Sequence, residues 1–249
     1  MKNLKVTVAY NGTAYNGYQS QPDGNTVQDK LQKSMTELLN QPITINGCSR
    51  TDAGVHARQF VFNALYDESL SSIAPGSFLR AMNGSLAVDI AVLSCEYAPL
   101  DFHARFCAKG KEYLYLVDTS KVRNVFSTDL ALHYPYEIDV PKLKEVASLM
   151  IGKHDFAAFC KAEAKEHLKS TVRTVTDIRI EKNKDQVEFY VSGDGFLHNM
   201  VRIIVGTLIY VNENKRCVED IKEALETGNR EKAGKTLPPH GLYLNKVFY

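Results

Sequence analysis

The chain has 249 residues, 44% of them hydrophobic and 24% charged, with 30 Lys and Arg set against 29 Asp and Glu for a formal net charge of +1. That length and balance fit a globular protein with a sizeable core, in one large domain or two smaller ones. They argue against a broadly basic nucleic-acid binder, so any grip on RNA must come from basic residues clustered on one face.

Leu4, Val6, Val8 and Tyr10 alternate with Lys5, Thr7 and Ala9, the period-two pattern of a half-buried strand. Residues 11–25 are polar and turn-rich. Thr26 can cap a helix that runs to about Asn40, with Val27, Leu31, Met35, Leu38 and Leu39 on its apolar stripe. β-rich segments at 42–46 and 59–65 then flank the loop Gly47-Cys48-Ser49-Arg50-Thr51-Asp52-Ala53-Gly54-Val55-His56-Ala57-Arg58. Its two glycines admit backbone angles that other residues avoid. Its one carboxylate, Asp52, is surrounded in sequence by Arg50, His56 and Arg58. A carboxylate near fixed positive charge stays ionised and can act as nucleophile or base. The structural alternative is a hairpin in which Asp52 caps a turn and the arginines are solvated.

Pro75 suits the first turn of a short helix carrying Phe78, Leu79 and Met82, and Val88, Ile90 and Val92 suggest a further strand. The order strand, helix, strand, strand, helix, strand is that of a ferredoxin-like unit. The composition changes at 99–106. From Lys111 to Asp118 alternation puts Tyr113, Tyr115 and Val117 on one face and Leu114 and Leu116 on the other. Asp139 before Pro141 starts a helix with Leu143, Val146, Ala147 and Met150 inward, and Gly152 suits its stop. His154 and Asp155 have no second ligand at useful spacing, which favours capping or packing over metal binding.

Lys161 to Lys169 reads as a solvated segment; if the chain binds RNA, Lys161, Lys165, Lys169 and Arg173 are candidate phosphate contacts. Two strands, 171–180 and 186–191, are joined by a turn at Asn183-Lys184-Asp185. Gly193 to Arg202 opens a long apolar helix to about Val211, with His198 and Arg202 four residues apart on one face. An Arg on such a helix either lies on an exposed stripe or reaches a carboxylate, with Asp52 the candidate. A helix at 218–227, stopped at Gly228, precedes a turn and a closing strand. Cys48, Cys95, Cys107, Cys160 and Cys217 form no C-x-x-C pair, residues 1–5 lead straight into a strand, and no run reaches membrane-spanning length. The expectation is a cytoplasmic protein without disulfides, zinc or a membrane anchor.

The string Ser49-Arg50-Thr51-Asp52-Ala53-Gly54-Val55-His56-Ala57 resembles the catalytic loop of the TruA family of tRNA pseudouridine synthases. The likeness continues through Tyr10 to Gln19, Phe102 to Phe106, Ala108 to Tyr115, His154 to Phe159, Phe196 to Arg202 and Leu237 to Tyr249. Tyr18 stands where the family usually has Trp. The resemblance implies an α+β fold of two ferredoxin-like (RRM-like) halves, 1–103 and 104–249. Their strands would join into one mixed, mainly antiparallel sheet, with helices on one side and a central cleft. It implies a homodimer that acts on uridines 38, 39 and 40 in the anticodon stem-loop of tRNA, without cofactor or metal.

The same resemblance assigns roles. Asp52 is the catalytic carboxylate and Arg202 its partner. Tyr113 stacks on the target base, Leu242 lines the uracil pocket, and Arg50 fills the vacated space or holds a phosphate. His56 and Arg58 would also meet the substrate. The reaction exchanges an N1–C1′ bond for a C5–C1′ bond, with no redox change, and needs the uridine flipped out of its stack. Attack at C1′, addition to the ring and removal of the 2′ proton all draw on the same carboxylate.

Two rival classes are weaker. An aspartyl-nucleophile phosphatase wants a second carboxylate where Gly54 stands, and activity lost in excess EDTA would favour it. A non-catalytic RNA-binding module would show an RNP1-type string, which this chain lacks.

Overall fold

A computed structural model describes residues 1–161 and 168–249. Lys165, one of the expected phosphate contacts, lies outside the described residues. The chain is α+β and divides into two compact units, residues 1–109 with 243–249, and residues 110–242.

The first unit begins with strand β1, Lys2–Tyr10, helix α1, Val27–Leu39, and the short strand β2, Ile45–Gly47. Strand β3, His56–Tyr66, helix α2, Pro75–Ser85, and strand β4, Ile90–Ala98, complete the run. β1 lies antiparallel between β4 and β3, and β2 pairs antiparallel with β3. Thr26 caps α1 through its hydroxyl, which accepts the Asp29 N–H at 3.2 Å, and Asn40 ends it in the left-handed region. Val27, Leu31, Met35 and Leu39 are fully buried, as are Leu4, Val6 and Val8 of β1 and Phe60 and Phe62 of β3. The apolar faces of strand and helix thus meet as their periods require.

A second, polar anchor lies elsewhere in this unit. The Asn63 amide donates to Asn3 Oδ1, and Asn3 donates to the carbonyls of Pro99 and Phe102 at 2.8 and 3.0 Å. Asn63 Oδ1 accepts the Ala104 N–H, and the Tyr249 hydroxyl donates to the Ala104 carbonyl. Both asparagines are buried. Their amides satisfy the 99–104 backbone, which otherwise would lie unpaired away from water.

In the second unit come β5, Gly110–Asp118, β6, Leu132–His133, α3, Val140–Ser148, β7, Gly152–Asp155, β8, Val172–Asn183, and β9, Gln186–Gly193. Helices α4, Met200–Asn212, and α5, Val218–Thr227, follow. Strand order is β5-β9-β8-β7, antiparallel throughout, with β6 parallel to β5. Ten of the thirteen residues of α4 are buried, which makes it a core helix, and no helix among the described residues is long and apolar enough to cross a membrane. The last strand, β10, Leu242–Phe248, carries Tyr243 and Leu244 alongside His56 and Ala57 of β3, in parallel.

Several boundaries differ from the expected ones. Strand β3 starts at His56, so His56, Ala57 and Arg58 belong to the strand and not to the loop. Of the segment 42–46 only Ile45 and Asn46 pair, and the pairing runs on into the loop at Gly47. Val88 is fully exposed, and β4 starts two residues later. Helix α3 stops at Ser148, and Gly152, at φ +116°, instead opens β7. His198 is not on α4: Asn199, at φ +64°, breaks the chain direction before the helix begins. β5 does not alternate between a buried and an open face, because Tyr113 to Val117 are all buried.

Candidate active site

The loop between β2 and β3 is built from behind. Cys48 still belongs to the ladder, its N–H donating to the Val61 carbonyl at 2.8 Å. The chain then leaves the sheet. A turn at Asp52-Ala53-Gly54-Val55 closes through the Val55 N–H and the Asp52 carbonyl at 3.1 Å. Gly54, at φ +75°, occupies the third place, where a type II turn requires positive φ. This turn leaves Asp52 half-buried and Arg50 exposed.

The support comes from residues 10–18. The Tyr18 N–H donates to the Thr51 carbonyl at 3.0 Å, and the hydroxyls of Tyr10 and Thr51 are 2.8 Å apart. Gly17 passes so close that an added Cβ would lie 2.6 Å from the Thr51 carbonyl oxygen and 3.2 Å from the Asp52 carbonyl carbon. At Gly12 a Cβ would lie 2.0 Å from the Val55 oxygen. The Tyr18 ring stacks on Phe60 at 4.1 Å and covers Gly47. A flat ring is what this slot takes, which is how Tyr serves where Trp is expected.

His56 belongs to the same scaffold. It is 1% exposed, its Nδ1 accepts the Gly12 N–H at 3.0 Å, and its ring stacks on Tyr243 of β10 at 4.6 Å. An acceptor Nδ1 carries no proton, so the neutral ring is protonated at Nε2. The buried imidazole thus ties the opening segment to β3 and β10. Arg58 is exposed, with its guanidinium 5.4 Å from the Tyr243 ring centroid. Burial pushes the Tyr243 hydroxyl up to about 12, against the opposing charge of Arg58.

In the second unit the expected residues gather around segment 237–242. Arg202, in the first turn of α4, donates from Nε to the Leu237 carbonyl at 2.6 Å and from Nη1 to Asn199 Oδ1 at 2.7 Å. The left-handed turn at Asn199 thus supplies a ligand for the arginine that follows it. The Tyr115 hydroxyl donates to the Pro238 carbonyl at 2.8 Å, and Gly241 lies against the Tyr115 ring. Leu242 is buried at the end of this segment. Gly206 and Gly234 let backbone meet backbone: a Cβ on Gly206 would lie 2.0 Å from the Lys235 carbonyl oxygen. Burial, aided by Arg202 and opposed by Asp129, holds the His240 imidazole below its usual range. Tyr113 is nearly buried, with the Phe196 ring edge-on at 5.1 Å.

Asp155 caps the turn after β7, its carboxylate accepting the Ala157 N–H, and His154 Nε2 meets the Ile151 carbonyl, so both are local structure as expected. Lys161 and Lys169 are exposed, and Arg173 is turned onto the carbonyls of Ser170 and Val172. The sequence did not reveal the clamp of Tyr10, Gly12 and Gly17, nor the part of Tyr243. The one available signal was a pair of glycines in an otherwise polar opening motif.

A family model described as tRNA pseudouridine synthase matches residues 6–107 and 146–249. Among curated relatives, tRNA pseudouridine synthase A 2 of Clostridium perfringens is 42% identical over 249 residues, covering 100% of both chains. tRNA pseudouridine synthase A of Geobacillus sp. is 41% identical over 100% of this chain and 98% of its own. The enzyme of that name from Acetivibrio thermocellus is 39% identical over 100% of each.

Proposed function

The chain belongs to the tRNA pseudouridine synthase family, and from that membership we propose that it isomerises uridines 38, 39 and 40 of the tRNA anticodon stem-loop, with Asp52 as the catalytic carboxylate. The reaction class, uridine to pseudouridine in tRNA, is that of the family. The finer assignment rests on one observation: Asp52 sits half-buried at the start of a turn whose backbone is held by hydrogen bonds and close glycine contacts. A carboxylate that must act on a flipped nucleoside needs a fixed position, because a reacting group held in place avoids the entropic cost of finding its target.

Other assignments follow the resemblance. Arg50, exposed beside Asp52, takes the space left by the uridine or a neighbouring phosphate. Tyr113 supplies a stacking wall and Leu242 an apolar one; a base stacked on an aromatic gains about 1–3 kcal/mol. The resemblance assigns Arg202 as the cation for the Asp52 carboxylate; within its own unit Arg202 is held by bonds to Leu237 and Asn199. During the exchange the N1–C1′ bond breaks, C5–C1′ forms, C5 loses its proton and N1 gains one. The working form is a homodimer in the cytoplasm.

The test is Asp52→Asn on an unmodified tRNA transcript, with pseudouridine mapped by position. The expected result is loss of all product with the melting temperature and tRNA affinity of the parent. Retention of activity within about tenfold would defeat the catalytic assignment, since removal of an essential catalytic group costs several orders of magnitude. Product outside the anticodon arm would defeat the positional one.

A further inference from the structure

We propose that Lys215, Arg216, Arg230 and Lys235, gathered about the ring of Tyr210 in the second unit, form a phosphate-binding patch for the tRNA backbone. The inference rests on the tRNA-modifying reading and adds a place where RNA is gripped by residues the reaction does not use.

The patch is made by the end of α4. The N–H groups of Lys215 and Arg216 turn back to the Tyr210 carbonyl at 2.8 and 3.3 Å, closing the helix. That turn returns both basic side chains to the tyrosine they follow: Lys215 Nζ is 5.3 Å and Arg216 Cζ 5.9 Å from the ring centroid. Lys235 arrives from the segment after α5, with Nζ 5.9 Å from the same centroid. Arg230 joins them, half-buried, donating from Nη1 to the Gly234 carbonyl at 2.7 Å. Burial, and the like charge of Arg216, lower its pKa from the usual guanidinium range.

Four cations so close repel one another. Part of the compensation is local: the ring face attracts cations, and the carboxyl end of a helix favours them. Glu213 bonds Lys215 at 2.6 Å. One carboxylate does not neutralise four cations, so the patch keeps an excess of positive charge. The two arginines are braced by backbone carbonyls, Arg216 on Lys215 and Glu231 and Arg230 on Gly234. The two lysines are exposed. Braced guanidinium forks beside exposed ammonium groups suit a run of phosphodiesters better than a single small anion. In a chain of net charge +1, such local excess is the only form in which a polyanion can be held.

The test uses the double variant K215A/K235A, with K215R/K235R as the charge-preserving control, in the full-length protein. Affinity for an unmodified tRNA transcript is measured by anisotropy between about 0.05 and 0.3 M KCl, alongside the single-turnover rate at saturating enzyme. The alanine variant should bind about tenfold or more weakly at 0.1 M salt, and its slope of log affinity against log salt should fall by roughly 1–2. The saturated rate should match wild type, and the arginine pair should restore binding. An unchanged affinity and slope, or a collapsed saturated rate with affinity intact, overturns the patch. If the wild type binds tRNA with this salt signature but forms no pseudouridine, the functional reading fails and the patch stands. If it neither binds nor modifies tRNA, both fail.

Discussion

Gly17→Ala and Gly24→Ala make a matched pair that isolates the clamp on the Asp52 turn. Both glycines lie at positive φ, +86° and +64°. In either, alanine costs about 1–2 kcal/mol for the left-handed backbone, less about 0.4–1 kcal/mol recovered because the unfolded chain is stiffer. Nothing lies within 4 Å of a Cβ at Gly24, so its net loss stays near 1 kcal/mol. At Gly17 the new Cβ would stand 2.6 Å from the Thr51 oxygen, where ordinary contact begins at 3.4 Å. Backbone must move by most of that difference, and such overpacking costs about a further 1–3 kcal/mol. At this chain length 1 kcal/mol shifts the melting temperature by about 2–4 °C. Gly24→Ala should therefore lose a few degrees and Gly17→Ala about 5–15 °C. The larger effect should be on the chemistry, because a shift of order 1 Å in a catalytic group costs about 100-fold. Single-turnover pseudouridine formation, at a temperature where circular dichroism shows both variants folded, reads it directly. If the two alanines prove equal in melting temperature and in rate, residues 10–18 do not position Asp52.

Two other substitutions test separate parts of the account. The Tyr18 hydroxyl is buried without a hydrogen-bond partner among the described residues, and an unpaired buried hydroxyl costs about 1–3 kcal/mol. Tyr18→Phe should leave the Phe60 stack intact and raise the melting temperature by roughly 2–12 °C; a drop in calorimetry would show that the hydroxyl is satisfied after all. The Asp220 carboxylate accepts the Cys217 N–H at the start of α5 and bonds Lys232, and these partners hold it below the usual carboxylate range. Its folded pKa is depressed, so its contribution is complete above the unfolded value near 4 and is lost as pH falls through the folded one. The melting-temperature gap between wild type and Asp220→Asn should be open at about pH 6 and close toward about pH 3; a gap that does not vary with pH would remove Asp220 from the ledger.

What could be read from the sequence was local. Helix α5 and the cap and stripe of α1 follow from Gly228, Thr26 and apolar spacing within a few residues of each other. The Asp52 turn announced itself because its glycine and its carboxylate are only two positions apart. Errors arose where a distant partner overrides local pattern. Tyr113 to Val117 are buried on both faces because each face of β5 is covered. Asn199 turns left-handed before Met200 and so removes His198 from the helix. The contacts that hold His56, with Gly12 and Tyr243, come from 44 and 187 residues away and leave no mark on the sequence around it. The cluster proposed around Tyr210 could not be read from adjacency, because its members span 215 to 235 and meet only where α4 and the segment after α5 are packed through Gly206 and Gly234.

The near-zero net charge also conceals an order that only the fold displays. On neighbouring strands of the second unit, Arg179 is ringed by acids: Glu112 at 2.8 Å, Asp177 at 3.1 Å and Glu181 at 3.4 Å, with its guanidinium over Tyr190. Around Tyr210 the ratio is inverted, four cations to the one bonded carboxylate of Glu213. Summed over the chain these patches cancel, yet a polyanion is repelled by the first and drawn to the second, since charges act over about 8–10 Å at physiological salt and not over a whole molecule. A single figure for net charge therefore says little about RNA affinity here. The relevant quantity is how completely each cation is matched within a Debye length, and around Arg179 and Tyr210 the same kind of aromatic seat has been given opposite answers.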